Sequence, residues 1–231
     1  MKITRKWTLL AIMMLLSSLA AGQAQASMIT YNLGTAFTGQ VDPNSPLTSN
    51  GWLMATFDDG GASGKVTLTL TSGLGVASEF ISQVDFNVNP AIDPSNLAIK
   101  WTGGASNGIV KKISAKDQDD QKAGGSHGYD IELQFKTASA NRFDSVGETV
   151  ILTLTGIGLT AGDFAYLNTG TGDSAHITAH IQGLSANFSD PEDSTWIKDS
   201  TPVPLPAAAW LLGPGLLGLA IIKRKRGNLK K

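Results

Sequence analysis

Tyr129-Asp-Ile-Glu-Leu-Gln-Phe135 is the stretch that decides the fold class. Large apolar side chains occupy every second position, and carboxylates and an amide stand between them. Successive side chains of a β-strand point to opposite faces of a sheet, so this alternation predicts a strand with one apolar and one polar face. Such strands are typical of antiparallel sheets, which commonly bury one face only.

The same period of two recurs along the central region. Clear cases are Lys65–Thr71, Phe80–Val88, Glu148–Thr155 and Ala175–Gln182, and weaker ones are Met28–Leu33, Trp52–Phe57, Leu97–Trp101 and Ile109–Ile113. Turns rich in glycine, proline and aspartate separate these segments. Nine or so strands of mixed spacing predict an all-β fold, and more specifically an antiparallel two-sheet sandwich that is jelly-roll-like.

The N-terminal 26 residues have the features of a signal peptide. A basic start is followed by the apolar run Leu9–Leu19 and by the small-x-small pattern of Ala24 and Ala26. This order predicts cleavage by signal peptidase, with Ser27 as the mature start. An uncleaved membrane anchor is the alternative, although the apolar run is short for a span. We predict an exported domain at residues 27–189 and a polar stalk at 190–202.

Charge and cysteine content limit the class of protein. The region between Ser27 and Pro202 holds all 19 acidic residues but nine basic ones, a formal charge of −10, whereas the whole chain has −1. An acidic domain repels nucleic acid, so no nucleic-acid partner is predicted. The chain has no cysteine. The domain is therefore held by core packing, alone or with a bound ion.

The best candidate for a metal site is the loop that holds Asp117, Asp119 and Asp120, because calcium binds clustered loop carboxylates. The loop lacks the glycine and the distal glutamate of an EF-hand, so a solvated loop is the favoured interpretation and calcium the alternative. His176 and His180 lie on a predicted strand, about 13 Å apart, and cannot bind one ion. We interpret them as outward polar residues.

Catalytic motifs are largely missing. There is no Gly-x-Ser-x-Gly sequence, and a cysteine nucleophile is excluded. Asp85, Asp130 and Glu132 occupy outward positions of strands, where a glycosidase could use two of them, but solvated sheets have the same appearance. No catalytic residue and no cofactor are predicted. The tryptophans that could stack on sugar rings or pack in the core are Trp52, Trp101 and Trp196.

The C-terminal segment 203–227 has three parts in a fixed order. The first part is the motif formed by Val203, Pro204, Leu205, Pro206 and Ala207. The apolar segment 207–222 follows it. The third part is a basic cluster, which precedes the tail 228–231 and consists of Lys223, Arg224, Lys225 and Arg226. Sixteen residues span roughly 24 Å as a helix, short of a hydrocarbon core of about 30 Å. The basic cluster predicts a cytoplasmic C-terminus, which leaves the acidic domain outside.

This order resembles a PEP-CTERM sorting signal, and more closely its VPLPA-CTERM variant, although Pro204-Leu-Pro206 replaces the commoner Pro-Glu-Pro. The central domain, with Phe80–Val88 and Ala175–Gly183, is similar to uncharacterised cargo of the same group. The resemblance implies a Gram-negative bacterium that makes exopolysaccharide. It also implies an exosortase, a transpeptidase of the inner membrane, that cuts near Val203–Ala207 after a transient hold in that membrane.

The resemblance implies delivery to the cell surface or the extracellular matrix. The leading functional hypothesis is a non-enzymatic protein associated with exopolysaccharide that contributes to biofilm structure. A carbohydrate-binding module, with or without calcium, is the first alternative, and a secreted polysaccharide hydrolase is the second. For the tail, a permanent single-pass anchor is the alternative to a sorting signal.

Overall fold

The computed structural model describes residues 26–39, 51–76, 78–104, 109–169, 174–184, 194–199 and 203–204. The strands in these ranges are β1 Met28–Gly39, β2 Leu53–Asp58, β3 Lys65–Ser72, β4 Phe80–Phe86, β5 Ala98–Gly104, β6 Val110–Ala115, β7 Gln121–Ala123, β8 Ser126–Tyr129, β9 Ile131–Phe135, β10 Thr149–Thr155, β11 Ile177–Gln182, β12 Ser194–Asp199 and β13 Val203–Pro204. Short 3-10 helices lie at Pro94–Asn96, Ser139–Asn141 and Ala161–Phe164.

One large antiparallel sheet dominates the described residues. Ten strands follow the order β5-β10-β3-β2-β1-β12-β11-β4-β9-β6, β13 pairs with β1, and β7 and β8 form a separate two-stranded sheet. The prediction of an all-β antiparallel fold is thereby confirmed.

The core forms on the apolar faces that the alternation predicts. Leu68 of β3 stands opposite Leu152 of β10 and next to Phe57 of β2, and all three side chains are fully buried. Burying one such side chain stabilises the fold by about 1.5–3 kcal/mol. Trp52, directly before β2, is also fully buried. It is therefore a core residue, and its ring is not accessible to a sugar.

The stretch Tyr129–Phe135 is divided between two strands. β8 ends at Tyr129 and β9 begins at Ile131. The carboxylate of Asp130, between them, accepts hydrogen bonds from the backbone N–H groups of Val88 and Asp119, each at 2.8 Å. This side chain joins the residues after β4 to the loop before β7. Before Asp130 the chain pairs with β7, and after Asp130 it pairs with β4 and β6.

The hairpin β7–β8 lies against the outward side of the sheet. β7 contacts β4 and β11. At the turn of the hairpin, Gly124 approaches the rings of Phe37 and Trp196 so closely that a Cβ atom there would lie 2.6 Å and 2.8 Å from them. Trp196 neighbours the core residue Ile197 in β12 and therefore points outward. The hairpin thus covers part of the face that the sequence pattern assigns to solvent.

The predicted polar stalk at 190–202 needs a correction. Its residues 194–199 form β12, which pairs with β1 on one side and with β11 on the other. Thr195, Ile197 and Asp199 of this strand are buried. The domain therefore reaches Asp199, ten residues past the predicted boundary at 189. The strand was missed because polar residues outnumber apolar ones in Ser194–Asp199.

Several predicted segments lie outside the described residues. These are the signal peptide up to residue 25, the apolar segment 207–222, the basic cluster 223–226 and the tail 228–231. Among the residues that the structure does describe, no helix has the length and apolar character needed to cross a membrane.

Candidate functional site

A groove lies between the two terminal strands of the sheet, β5 and β6. The residues that line it are Trp101 of β5 and Val110, Lys111, Lys112 and Ile113 of β6, and its volume is about 310 Å³. Within the described residues β5 pairs only with β10, and β6 pairs only with β9. The sheet therefore curls until its ends approach each other, and the groove runs along the opening between them.

Trp101 supplies the aromatic surface of this groove. It stands opposite Leu152 in the ladder between β5 and β10, and its side chain is half-buried against the core. The indole Nε1–H is buried and has no hydrogen-bond partner within the described part of the chain. A buried donor without a partner costs about 1–3 kcal/mol.

Two lysines make the other wall of the groove basic. The register between β6 and β9 shifts between Val110 and Lys112, so Lys111 is an extra, exposed residue of a bulge. Bulges redirect side chains at the edges of sheets. Lys112 instead bonds to Glu132, with its Nζ atom 3.3 Å from Oε1. Of the two lysines in this wall, Lys111 is therefore the one that has no carboxylate partner among the described residues.

Behind Lys112 lies a cluster of polar side chains on the outward face. Gln83 donates from Nε2 to both carboxylate oxygens of Asp85, at 3.1 Å and 2.9 Å, and to Oε2 of Glu132 at 3.3 Å. Asp85 and Glu132 are cross-strand neighbours in the ladder between β4 and β9. One amide group therefore bridges two acids on adjacent strands.

Burial raises the pKa of Asp85 well above its usual value, and the nearby charge of Glu132 adds to this, whereas the hydrogen bonds from Gln83 oppose it. Asp85 is 0% exposed, Asp130 is 4% and Glu132 is 9%. The prediction that these three acids lie on a solvated face is wrong. Asp85 and Glu132 do point outward, but other parts of the fold cover them, and Asp85 has no contact with solvent through which a polysaccharide could reach it.

The loop with the predicted calcium ligands has other bonds. Asp120 Oδ2 accepts a hydrogen bond from Gln121 Nε2 at 3.2 Å, and the backbone N–H of Asp119, at a φ of 60°, donates to Asp130. The side chains of Asp117, Asp119 and Asp120 are exposed. Across the described ranges, no group of three or more histidine or acidic side chains has the spacing to hold a metal ion.

The two histidines have different partners. His176 precedes β11, bonds through Nδ1 to Asp199 Oδ2 at 2.8 Å and stacks on the ring of Tyr31. Its interpretation as an outward residue is wrong, because Tyr31 is a fully buried core residue. His180 does point outward, where its ring stacks on Trp196 with centroids 4.6 Å apart. Burial lowers the pKa of His180.

The residues at the two predicted cleavage sites lie close together. Ser27 directly precedes β1, and Val203 and Pro204 pair with Thr30 and Ile29 of the same strand. Leu205, Pro206 and Ala207 of the predicted motif lie outside the described residues, as does Ala24, whereas Ala26 is exposed. Both sites therefore lie near the beginning of β1.

Sequence reasoning missed Gln83, Lys111 and Lys112 as members of a site. Trp101 was named from its residue type, but nothing in the local pattern indicates that β5 and β6, at opposite ends of the strand order, form one groove. The chain matches no family model, no curated protein and no solved structure.

Proposed function

We propose that this chain is the precursor of an exported, non-enzymatic protein that an exosortase delivers to the cell surface or extracellular matrix of a Gram-negative bacterium. The observation that carries the proposal is the uninterrupted order of the Val203–Ala207 motif, the apolar segment 207–222 and the basic cluster 223–226. The inner membrane holds the precursor transiently, and signal peptidase and exosortase are its processing partners.

The position of the fold relative to the two cleavage sites supports this proposal. β1 begins at Met28, one residue after the predicted mature start, and β12 ends at Asp199, before the sorting motif. Every described strand with core residues therefore lies between the two cuts. Processing at both sites removes the address segments and leaves the core intact.

We further propose that the sheet folds into the two layers of a jelly-roll-like sandwich. The strand order divides into the halves β5-β10-β3-β2-β1 and β12-β11-β4-β9-β6, which contribute to a single core cluster. The ladder between β1 and β12, where the halves meet, has two register shifts. Such irregularities bend strands and allow a sheet to turn a corner.

Mass spectrometry of the two termini of the mature protein tests the proposed sorting. From wild-type cells we expect an N-terminus at Ser27 and a C-terminus near Val203–Ala207. Substitution of Pro204 and Pro206 by alanine is expected to leave the C-terminal segment attached, whereas Pro202→Ala, just outside the motif, serves as the matched control. An intact Lys231 in cells that contain exosortase would contradict the proposal and favour a permanent anchor.

The groove favours carbohydrate binding as a second candidate function. Aromatic rings that stack on sugars and polar groups that fix orientation are the usual parts of such sites. Four of the nine basic residues of the acidic domain lie near the groove. Lys100 is on β5, Lys111 and Lys112 are on β6, and Lys136 directly follows β9, the neighbour of β6. This concentration favours an anionic polysaccharide, for example one that contains uronic acids.

A glycan array that includes uronate oligomers, run with and without calcium, tests the second candidate. We expect binding that Trp101→Ala and Lys111→Gln each weaken about tenfold or more, while Lys122→Gln, on the hairpin β7–β8, has no effect. Trp52 is unsuitable as a probe because its side chain belongs to the core. Absence of binding to every anionic glycan would exclude this function and leave the proposed sorting intact.

A further inference from the structure

The carboxylate of Asp59 is held by three backbone N–H groups. Oδ1 accepts from Ser27 at 2.8 Å and from Gly61 at 2.9 Å, and Oδ2 accepts from Ala161 at 3.2 Å. The backbone N–H of Asp59 in turn donates to the carbonyl oxygen of Ser27 at 3.2 Å. Ser27 and Asp59 are thus joined by two hydrogen bonds, although 32 residues separate them in sequence.

This carboxylate is buried and ionised. Asp59 is 8% exposed. Burial alone would raise the pKa of Asp59, but the hydrogen bonds from Ser27, Gly61 and Ala161 together lower it below its ordinary value. The ion pairs within the described ranges are Lys112–Glu132 and His176–Asp199, so no lysine, arginine or histidine described there neutralises Asp59. The site therefore holds a negative charge that no cationic side chain in the described ranges balances.

The shortest of these three hydrogen bonds comes from Ser27 N, the nitrogen at the predicted cleavage site. In the precursor, Ser27 N belongs to the peptide bond that follows Ala26 and carries one hydrogen. Hydrolysis adds one water across that bond: Ala26 leaves with a carboxylate, and the nitrogen of Ser27 becomes an α-amino group that is protonated below its pKa of about 7.7–8.0.

We propose that Asp59 is a preformed receptor for the α-ammonium group of Ser27, so that removal of the signal peptide completes a partly buried ion pair that the precursor lacks. This inference rests on the N-terminal cleavage given under Proposed function. A hydrogen bond between charged groups is about twice as strong as one between neutral groups. The new ion pair ties the start of β1 to the end of β2 and to the 3-10 helix at Ala161–Phe164.

The pH range of the effect follows from its two partners. The ammonium pKa is raised in the folded chain, so its contribution is complete below about pH 7.7 and is lost as pH rises through the folded value. Asp59 has a lowered pKa, so its contribution is lost only in acid. Four other ionisable groups lie on the elements that meet here, and they are Asp58, Lys65, Tyr31 and Asp163. Lys65 is exposed, whereas the other three have hydrogen-bond partners of their own. Asp58 bonds to Gly60, Tyr31 bonds to Phe164, and Asp163 bonds to Thr160 and Asn89.

The test compares the chain from Ser27 to Lys231 with the chain from Ala26 to Lys231, both in detergent micelles. In the longer chain Ser27 N is an amide that still donates to Asp59, but the charged α-ammonium group belongs to Ala26 and lies farther from the carboxylate. At pH 6.5 we expect the chain that starts at Ser27 to unfold at a temperature about 2 °C or more higher. The difference is expected to disappear at pH 10 and in Asp59→Asn. Asp58→Asn, which removes a neighbouring carboxylate that does not bond to Ser27, is expected to preserve it.

A titration covers the case in which Asp59→Asn does not fold. With ¹⁵N-labelled serine, the amino group of Ser27 is expected to titrate with a pKa above 7.7–8.0, the range of an unperturbed terminus. Equal unfolding temperatures for the two chains, or an unperturbed pKa, would overturn the inference. A mature protein that starts elsewhere than Ser27 would instead overturn the proposed processing, and the comparison of the two chains would still report on Asp59.

Discussion

At the scale of single residues, the main finding is that polar side chains on the outward face of the sheet are buried. Asp85 and Thr178 are directly opposite each other in the ladder between β4 and β11, and both are fully inaccessible to solvent. A buried carboxyl is more stable in its neutral form, and a buried hydroxyl needs a partner. These two positions therefore carry free-energy costs that substitutions can remove.

Asp85→Asn is expected to make the protein more stable at pH 8 and to flatten its pH dependence. The folded pKa of Asp85 is raised, so ionisation of this group destabilises the fold increasingly as pH rises above its unfolded pKa of about 3.9. Each pKa unit corresponds to about 1.4 kcal/mol. Urea unfolding between pH 4 and pH 8 measures this, with the exposed Asp120→Asn as control. A loss of stability at pH 8 would show that ionised Asp85 is required.

Thr178→Val is expected to leave stability unchanged or to raise it by about 1 kcal/mol. The Oγ1 atom is buried and has no hydrogen-bond partner within the described residues, and valine keeps the shape and the β-branch. The free energy of unfolding from urea titration measures the effect. Thr153→Val, at an exposed hydroxyl bonded to Thr102, is the comparison and is expected to be slightly destabilising. A loss above about 1 kcal/mol at position 178 would mean that its hydroxyl is bonded.

At the scale of elements, the hairpin β7–β8 explains why the outward face is not solvated. Its turn, Gly124-Gly125, is evident in the sequence, but its docking against the rings of Phe37 and Trp196 is not. Both glycines have a positive φ, and only Gly124 is closely surrounded. Alanine substitutions at the two positions therefore distinguish the cost of backbone strain from the cost of overpacking.

Gly124→Ala is expected to cost about 2–4 kcal/mol and Gly125→Ala about 1 kcal/mol. Alanine at a positive φ costs roughly 1 kcal/mol or somewhat more at either position. At position 124 the added methyl group also overlaps the two aromatic rings, and overpacking typically costs about 1–3 kcal/mol. The free energy of unfolding in urea measures both. Equal losses in the two variants would contradict the docked position of the hairpin.

At the scale of the whole molecule, β12 decides the architecture, because it joins the two halves of the sheet. It lies between β1 and β11, and residues of both halves belong to one core cluster. A shared core and a continuous sheet predict cooperative unfolding of the two halves. Segment 194–199 is therefore part of the folding unit, in contrast to the stalk that its polar sequence predicts.

Ile197→Ala is expected to cost about 2–5 kcal/mol and to lower the unfolding midpoint of the entire domain. The side chain is fully buried at the junction of the halves, and removal of its methyl groups leaves a cavity. Ile157→Ala is the matched control, because Ile157 is fully exposed, and its effect is expected to stay within about 0.5 kcal/mol. Coincident transitions by circular dichroism and tryptophan fluorescence measure cooperativity. A small effect at Ile197 would restore the stalk interpretation.

The sequence by itself determined the strands with strict alternation, because the period of two is a local property of consecutive residues. The apolar sides of Lys65–Thr71 and Glu148–Thr155 are buried as predicted. The order of basic, apolar and small residues on which the proposed address segments rest is likewise a local property of the sequence. The candidacy of Trp101 follows from its residue type alone.

Only the tertiary structure decided which polar residues are buried and which distant residues meet. Asp85 has the sequence pattern of a solvated residue and is buried under contacts from other elements. The groove depends on the approach of two terminal strands, and the bond between Ser27 and Asp59 spans 32 residues. Alternation fixes the direction of a side chain relative to its own strand. What covers that side chain depends on segments far away in the chain, which no local pattern specifies.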